Sequence, residues 1–218
     1  MTQDSLPSGT VLPPLDQQAE RLIALGIGDI AGISPTAIRA AATSRAENSL
    51  LTIHEKYAPA SSLAHLLERQ GKHGFVVTDM TDVDQFTPTE HAVPPDNPVY
   101  LLEDLDRGDA MSNWSPDEAL PAILEAGRTP LTLTEGIHWL LQCPDVLERG
   151  HCFMTIGSRL RKPNGALDTR TPALWISNGT GRDGKDNRNA PKVGWCWAGN
   201  RHTWLGFASA NTRIPINA

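Results

Sequence analysis

The segment Val193 to Phe207 reads Val-Gly-Trp-Cys-Trp-Ala-Gly-Asn-Arg-His-Thr-Trp-Leu-Gly-Phe and holds half of the six tryptophans in the chain. Indoles beside a guanidinium and an imidazole are the materials of a stacking platform for a base, a sugar or a cationic group. Side chains alternate along a strand, so Trp195 and Trp197 share one face and Cys196 takes the other. Gly199-Asn200 suits a tight turn, which would bring His202 and Trp204 back on the next strand beside Arg201. The competing assignment puts the same tryptophans in the core of a small sheet, where indoles are usually buried.

The loop from Asn178 to Lys192 runs straight into this segment. Its glycines, with Arg182, Lys185 and Arg188, offer backbone N–H groups and positive charge to an anion, and the loop could act as a lid. The G-x-x-x-x-G-K-[ST] spacing is absent, so it is not a P-loop, and a plain hairpin tip is the simpler assignment.

Asp104, Asp106 and Asp109 form a third cluster, in a turn with Gly108. Three carboxylates in six residues could hold Mg²⁺ or Ca²⁺. Counted from Asp104, the glycine comes one position early and Ser115 stands where an EF-hand has its closing glutamate. A solvated turn explains the cluster equally well. Zinc needs four convergent N or S ligands, and His138, Cys143, His151, Cys152, Cys196 and His202 form no C-x-x-C or H-x₃₋₅-H pair. Cys196 and His202 could pair as thiol and general base on adjacent strands, which would make the chain a hydrolase or transferase. No nucleophile motif surrounds them. G-x-S-x-G, H-E-x-x-H and dinucleotide-binding fingerprints are all missing, and no cofactor is implied.

These residues need elements to position them. Helices are expected from Asp16 and from Ser34-Pro35, with Leu25-Gly26-Ile27-Gly28 as a packing turn between them. A further helix over Ser61–Gln70 lies between strands at Leu50–His54 and Gly74–Asp79, a run long enough for a parallel crossover. A strand follows at Val99–Glu103. Ser115-Pro-Asp-Glu118 and Thr132-Leu-Thr-Glu135 are capping boxes that start two more helices. Beyond Cys152 the pattern is strand-like, at Cys152–Ser158, Ala173–Ser177, Val193–Trp197 and Thr203–Ala208, with turn residues between.

The expected class is therefore α+β: N-terminal helices with a small mixed α/β part, then a C-terminal antiparallel sheet rich in Trp. Residues 1–14 read as a disordered arm and 15–218 as one domain, with a possible internal boundary at the proline-punctuated stretch 87–98. No apolar run approaches the roughly 20 residues of a membrane span, and no signal peptide is present, which points to the cytoplasm. Three cysteines at irregular spacing fit a reducing compartment.

Charge is unevenly spread. Residues 1–156 hold 9 basic and 22 acidic residues, a balance of −13, and residues 157–218 hold 10 basic and 3 acidic, a balance of +7. Either the two parts dock or the basic part meets an anion. An acidic majority would repel a long polyanion, which favours docking.

The phrases Asn113–Ile123 (NWSPDEALPAI), Arg128–Leu133 (RTPLTL), Pro172–Ser177 (PALWIS) and Gly194–Asn200 (GWCWAGN), with the following x-HTWLG, resemble an uncharacterised bacterial family defined only as a domain of unknown function. That resemblance spans most of the chain beyond the arm. It implies one domain and supplies no catalytic residues. The reading that unites these features is a non-enzymatic binding protein. Its site would comprise Trp195, Trp197, Arg201, His202 and Trp204 with Arg182, Lys185 and Arg188. Its ligand would be a small anionic or aromatic molecule or single-stranded RNA. The alternatives are the enzyme just described and a structural subunit that docks through a broad apolar patch.

Overall fold

The computed structural model describes residues 11–44 and 48–216, and the side chain of Arg182 lies outside that description. In chain order the elements are α1 (Leu15–Ala24), α2 (Ile27–Ala31), α3 (Pro35–Ala41), β1 (Ser49–Ile53), α4 (Ala60–Ala64), β2 (Glu68–Arg69), β3 (Lys72–His73), β4 (Phe75–Val76), β5 (Phe86–Pro88), β6 (Val99–Glu103), α5 (Pro116–Glu125), β7 (Thr129–Pro130) and α6 (Leu133–Gln142). They continue with β8 (Cys152–Met154), β9 (Ser158–Leu160), β10 (Arg170–Ile176), β11 (Pro191–Trp197), β12 (Leu205–Phe207), β13 (Ser209–Ala210) and β14 (Thr212–Pro215). The α+β class holds. No helix among the described residues is long and apolar enough to cross a membrane.

Both capping boxes form. The Ser115 and Thr132 hydroxyls accept from the backbone of Glu118 and Glu135, and each glutamate accepts in return from its cap residue. Orphan amides at the start of each helix are thereby satisfied. Helix α6 is buried on every side. It packs against β1 and against β10, so its polar residues Thr134, Glu135, His138 and Gln142 are buried along with its apolar ones and Glu135 and His138 need partners inside the protein. Gly136 lets it sit close: a Cβ there would fall 2.6 Å from Thr155 Cγ2 and 2.8 Å from Leu174 Cδ1.

The first sheet has the order β1-β6-β14 and is antiparallel, with Leu51 opposite Leu101 and Ile214 opposite Leu101 on its other side. Its β1 edge is covered by side chains instead of a strand. Gln18 Nε2 donates to Ser49 O (2.8 Å), Leu51 N donates to Gln18 Oε1 (2.8 Å), and Ile53 N donates to His138 Nε2 (3.2 Å). An exposed edge would invite pairing with other chains; here α1 and α6 seal it. Buried Glu135 ties α6 to the other strands. Its carboxylate accepts from Tyr100 Oη (2.8 Å), Arg213 Nε (2.6 Å) and Arg213 Nη2 (2.8 Å).

The second sheet has the order β12-β8-β10-β11-β4. Its centre, β8-β10-β11, is antiparallel as expected, while β4 and β12 join the flanks in parallel. One face, carrying Phe153, Leu174 and Val193, joins the main core; the other, carrying Met154, Ala173 and Phe207, packs against Ala119 and Ile123 of α5.

Three expectations are corrected. The parallel crossover between Leu50–His54 and Gly74–Asp79 does not form, because β1 pairs with β6 and β4 pairs with β11. The helix expected over Ser61–Gln70 ends at Ala64, and β2 and β3 turn back through Gln70 (φ 51°) and Gly71 (φ 72°). Two consecutive positive φ values are the signature of a tight hairpin turn. Finally, Gly199-Asn200 does not fold β12 onto β11: β12 lies beside β8, with two strands between it and β11.

Of the expected arm over 1–14, residues 1–10 lie outside the described residues, whereas Leu12 is buried. The main cluster of buried side chains runs from Leu12 to Ala210 and draws on both sides of residues 87–98.

Candidate ligand-binding cleft

The cleft is built from β11 outward. Trp195 and Trp197 share a face, with ring centroids 4.5 Å apart at 68°. Cys196 points away from them and lines a cleft of about 440 Å³. Opposite Gly194 and Lys192 on the neighbouring strand stand Ala173 and Trp175. Gly194 is required here: a Cβ would fall 2.5 Å from Trp175 Cη2 and 3.1 Å from Val77 Cγ1. The Trp175 indole therefore lies across the β11 backbone. Lys192 Nζ sits 4.5 Å from its ring centroid and is held there by Asp183 at 2.6 and 2.8 Å. A cation over an indole face is a favourable arrangement that fixes the ring. The rest of that ring is a wall of the cleft.

The segment leading into β12 supplies another wall. Cys152 N donates to Trp204 O (2.9 Å) and Asn113 N donates to His202 O (3.0 Å), which pins the backbone at both residues. The rings of His202 and Trp204 stack, with centroids 4.6 Å apart and planes 12° from parallel. Trp204 remains 48% exposed. Gly150, His151 and Cys152 close one side of the cleft, with Ile176 and Asn178 at the end of β10.

Of the expected site, the structure brings His202, Trp204 and Cys196 together and leaves the others apart. Trp195 is partly buried against the main core and lines a separate pocket of about 140 Å³ with Asp79 and Asp183. Trp197 is 45% exposed on the same face as Trp195. Arg201 pairs with Glu118 at the start of α5, beside Trp114. Lys185 and Arg188 are exposed, and the Arg182 side chain is outside the described residues. Their loop is folded around Asp183, which accepts from Ser177 Oγ (2.8 Å) and from Lys192, and whose backbone O accepts from Asn187 Nδ2 (2.8 Å).

Trp175, Gly150, His151, Cys152 and Ile176 belong to the cleft but were not expected in it. The one available signal was Trp175 at the end of an otherwise small, apolar strand, Pro-Ala-Leu-Trp-Ile. Its importance depends on facing Gly194, a pairing local spacing does not reveal.

The three aspartates have other occupations. Asp104 binds Arg128 (2.6 Å), Asp106 accepts from Gly108 N (2.8 Å), and Asp109 is chelated by Arg107 Nε at 2.9 Å. None of them lines the cleft. Among the described residues, no three His, Cys, Asp or Glu side chains are grouped to hold a metal ion. Burial pushes the Cys152 thiol far up, and it pushes the Cys196 thiol up against the opposing pull of Lys192. Both are therefore protonated thiols, whereas a nucleophile or metal ligand needs thiolate. His138, the other histidine of interest, is wholly buried and structural, with Nε2 spent on Ile53 N and Nδ1 on Thr134 O.

No curated protein and no solved structure matches the chain. A family model does, over residues 21–216, so that it takes in every residue of the cleft. The chain belongs to that family, described as a family of unknown function (DUF5701).

Proposed function

We propose that this chain is a binding protein whose cleft takes the planar aromatic ring of a small molecule. The observation that carries the reading is Trp204: nearly half of a large indole stays in water, stacked on His202, on the wall of a cleft that Trp175 also lines. Burying an indole is strongly favourable, so leaving it open at a concave site favours a ligand that covers it. A volume of about 440 Å³ lies within the ~300–1,000 Å³ of small-molecule sites. Asn178 and His151 at the mouth add hydrogen-bonding groups to fix orientation. A cleft of this size suits a single ring better than a run of stacked bases, which makes a small molecule a better fit than single-stranded RNA. The enzyme reading gains no support from protonated thiols or from aspartates occupied by arginines and a backbone amide. The unpaired cysteines suit the reducing cytoplasm.

The test is a fluorescence titration of the full chain with adenosine and with indole. Stacking on an indole contributes ~1–3 kcal/mol per ring. Trp204→Ala is therefore expected to weaken binding roughly 5- to 150-fold, and Trp197→Ala to leave it within about twofold. Binding lost in Trp197→Ala and kept in Trp204→Ala would place the ligand on the opposite face and overturn the reading.

A further inference from the structure

On the reading just given, we infer that the ligand carries an anionic group outside its ring, and that Arg149, Arg188 and Lys185 receive this group at the rim of the cleft. The side chains lining the cleft include no lysine, arginine, aspartate or glutamate, so the part of the ligand inside it is neutral. Charge begins at the rim. Arg149 directly precedes Gly150, which lines the cleft, and its guanidinium donates to Asn189 Oδ1. Asn189 is in turn bound to the far side of the mouth, through its N to Ser177 O (2.9 Å). There Gly179, next to Asn178 of the lining, has φ 68° and no side chain. The stem of Arg188 fills that space: a Cβ on Gly179 would fall 2.5 Å from Arg188 Cβ. Lys185 starts the same short turn, and Arg188 N donates to Lys185 O (3.1 Å). Two segments are thus drawn together at one edge of the cleft, each presenting a cation.

These cations have no carboxylate partner among the described residues, and they are the ones that flank the cleft lining. Arg107, Arg128, Arg161, Arg170, Arg201 and Arg213 all form ion pairs. Among the described residues, Arg149, Lys185 and Arg188 form none, and the bond of Arg149 to a neutral amide leaves its charge uncompensated. Guanidinium groups hold phosphate and carboxylate through charge-assisted hydrogen bonds. At an exposed rim such contacts weaken as salt screens them.

The experiment compares neutral with anionic probes that share a ring: adenosine with adenosine monophosphate, and indole with indole-3-acetate. Each is titrated calorimetrically into the full chain at low and at high salt. At low salt the anionic member of at least one pair binds about five- to tenfold tighter, and high salt removes most of that gain. The pair that gains more identifies the group as phosphate or carboxylate. Arg149→Gln with Arg188→Gln, both at exposed positions, abolishes the gain and leaves the neutral probes within about twofold; circular dichroism checks that the variant is folded. Equal binding of neutral and anionic probes, or a gain that survives in the double variant, overturns this inference while leaving the cleft reading intact. Binding of none of the four probes overturns both.

Discussion

At His138 an imidazole is sealed between α6 and β1, and it can do only one thing. Burial pulls its pKa down to about 4, so the ring is neutral, with Nδ1–H directed at Thr134 O and Nε2 free to accept from Ile53 N. The unfolded chain takes up a proton near the ordinary value of 6.5 and the folded chain does not. The resulting stability is full above that pH and is lost as pH falls from 6.5 toward 4, on the order of 3 kcal/mol in all. Urea midpoints across this window are expected to fall in the wild type and to fall distinctly less in His138→Gln. Identical slopes would show that the imidazole is not what titrates. His202 and Trp204 use their rings in the opposite way, held by backbone bonds and stacked on each other with Trp204 left half exposed. Local alternation was enough to read that Trp195 and Trp197 share a side and that Cys196 opposes them. It left open whether His202 and Trp204 join the Trp195 side or the Cys196 side, because strand order decides that.

Among the elements, those whose signals are local were legible. Ser115 and Thr132 start helices because their hydroxyls and the glutamates three residues later satisfy amides within one turn. Strand partners were not legible. The pairing of β12 with β8 and of β4 with β11 is set by packing across the whole chain, and a short apolar run fits several neighbours. The end of α4 was missed because Leu63, Leu66 and Leu67 have helical spacing, whereas the turn at Gln70-Gly71 starts a hairpin. Gly136 in α6 offers a test of how closely the layers are packed. Helix propensity alone favours Gly136→Ala by about 1 kcal/mol. Against that, the added methyl would meet Thr155 Cγ2 at 2.6 Å and Leu174 Cδ1 at 2.8 Å, an overpacking that costs ~1–3 kcal/mol. The contact outweighs the propensity, so the variant is expected to melt at a lower temperature than the wild type. A higher melting temperature would mean that α6 and the second sheet have room to separate.

Over the whole molecule, the uneven charge of the sequence resolves into docking. Arg161 with Glu90, Arg170 with Asp82, Arg201 with Glu118 and Arg213 with Glu135 each join the basic C-terminal part to the acidic remainder. Buried side chains on both sides of residues 87–98 share one core, and that stretch does not divide it. Among the described residues Lys185 and Arg188 form no such pair, and an anion received by them and Arg149, as proposed, would give the second reading of the charge its own place. The cleft itself draws on β8, β10, β11 and the approach to β12, which the fold alone assembles; for that reason half of its lining was invisible to spacing. The most direct measurement is a crystal structure of the protein with adenosine or indole bound. The account predicts ring density inside the cleft against Trp204 and Trp175, with the His202–Trp204 stack preserved. A ring bound instead on the Trp195–Trp197 face, with the cleft unfilled at saturating ligand, would contradict it.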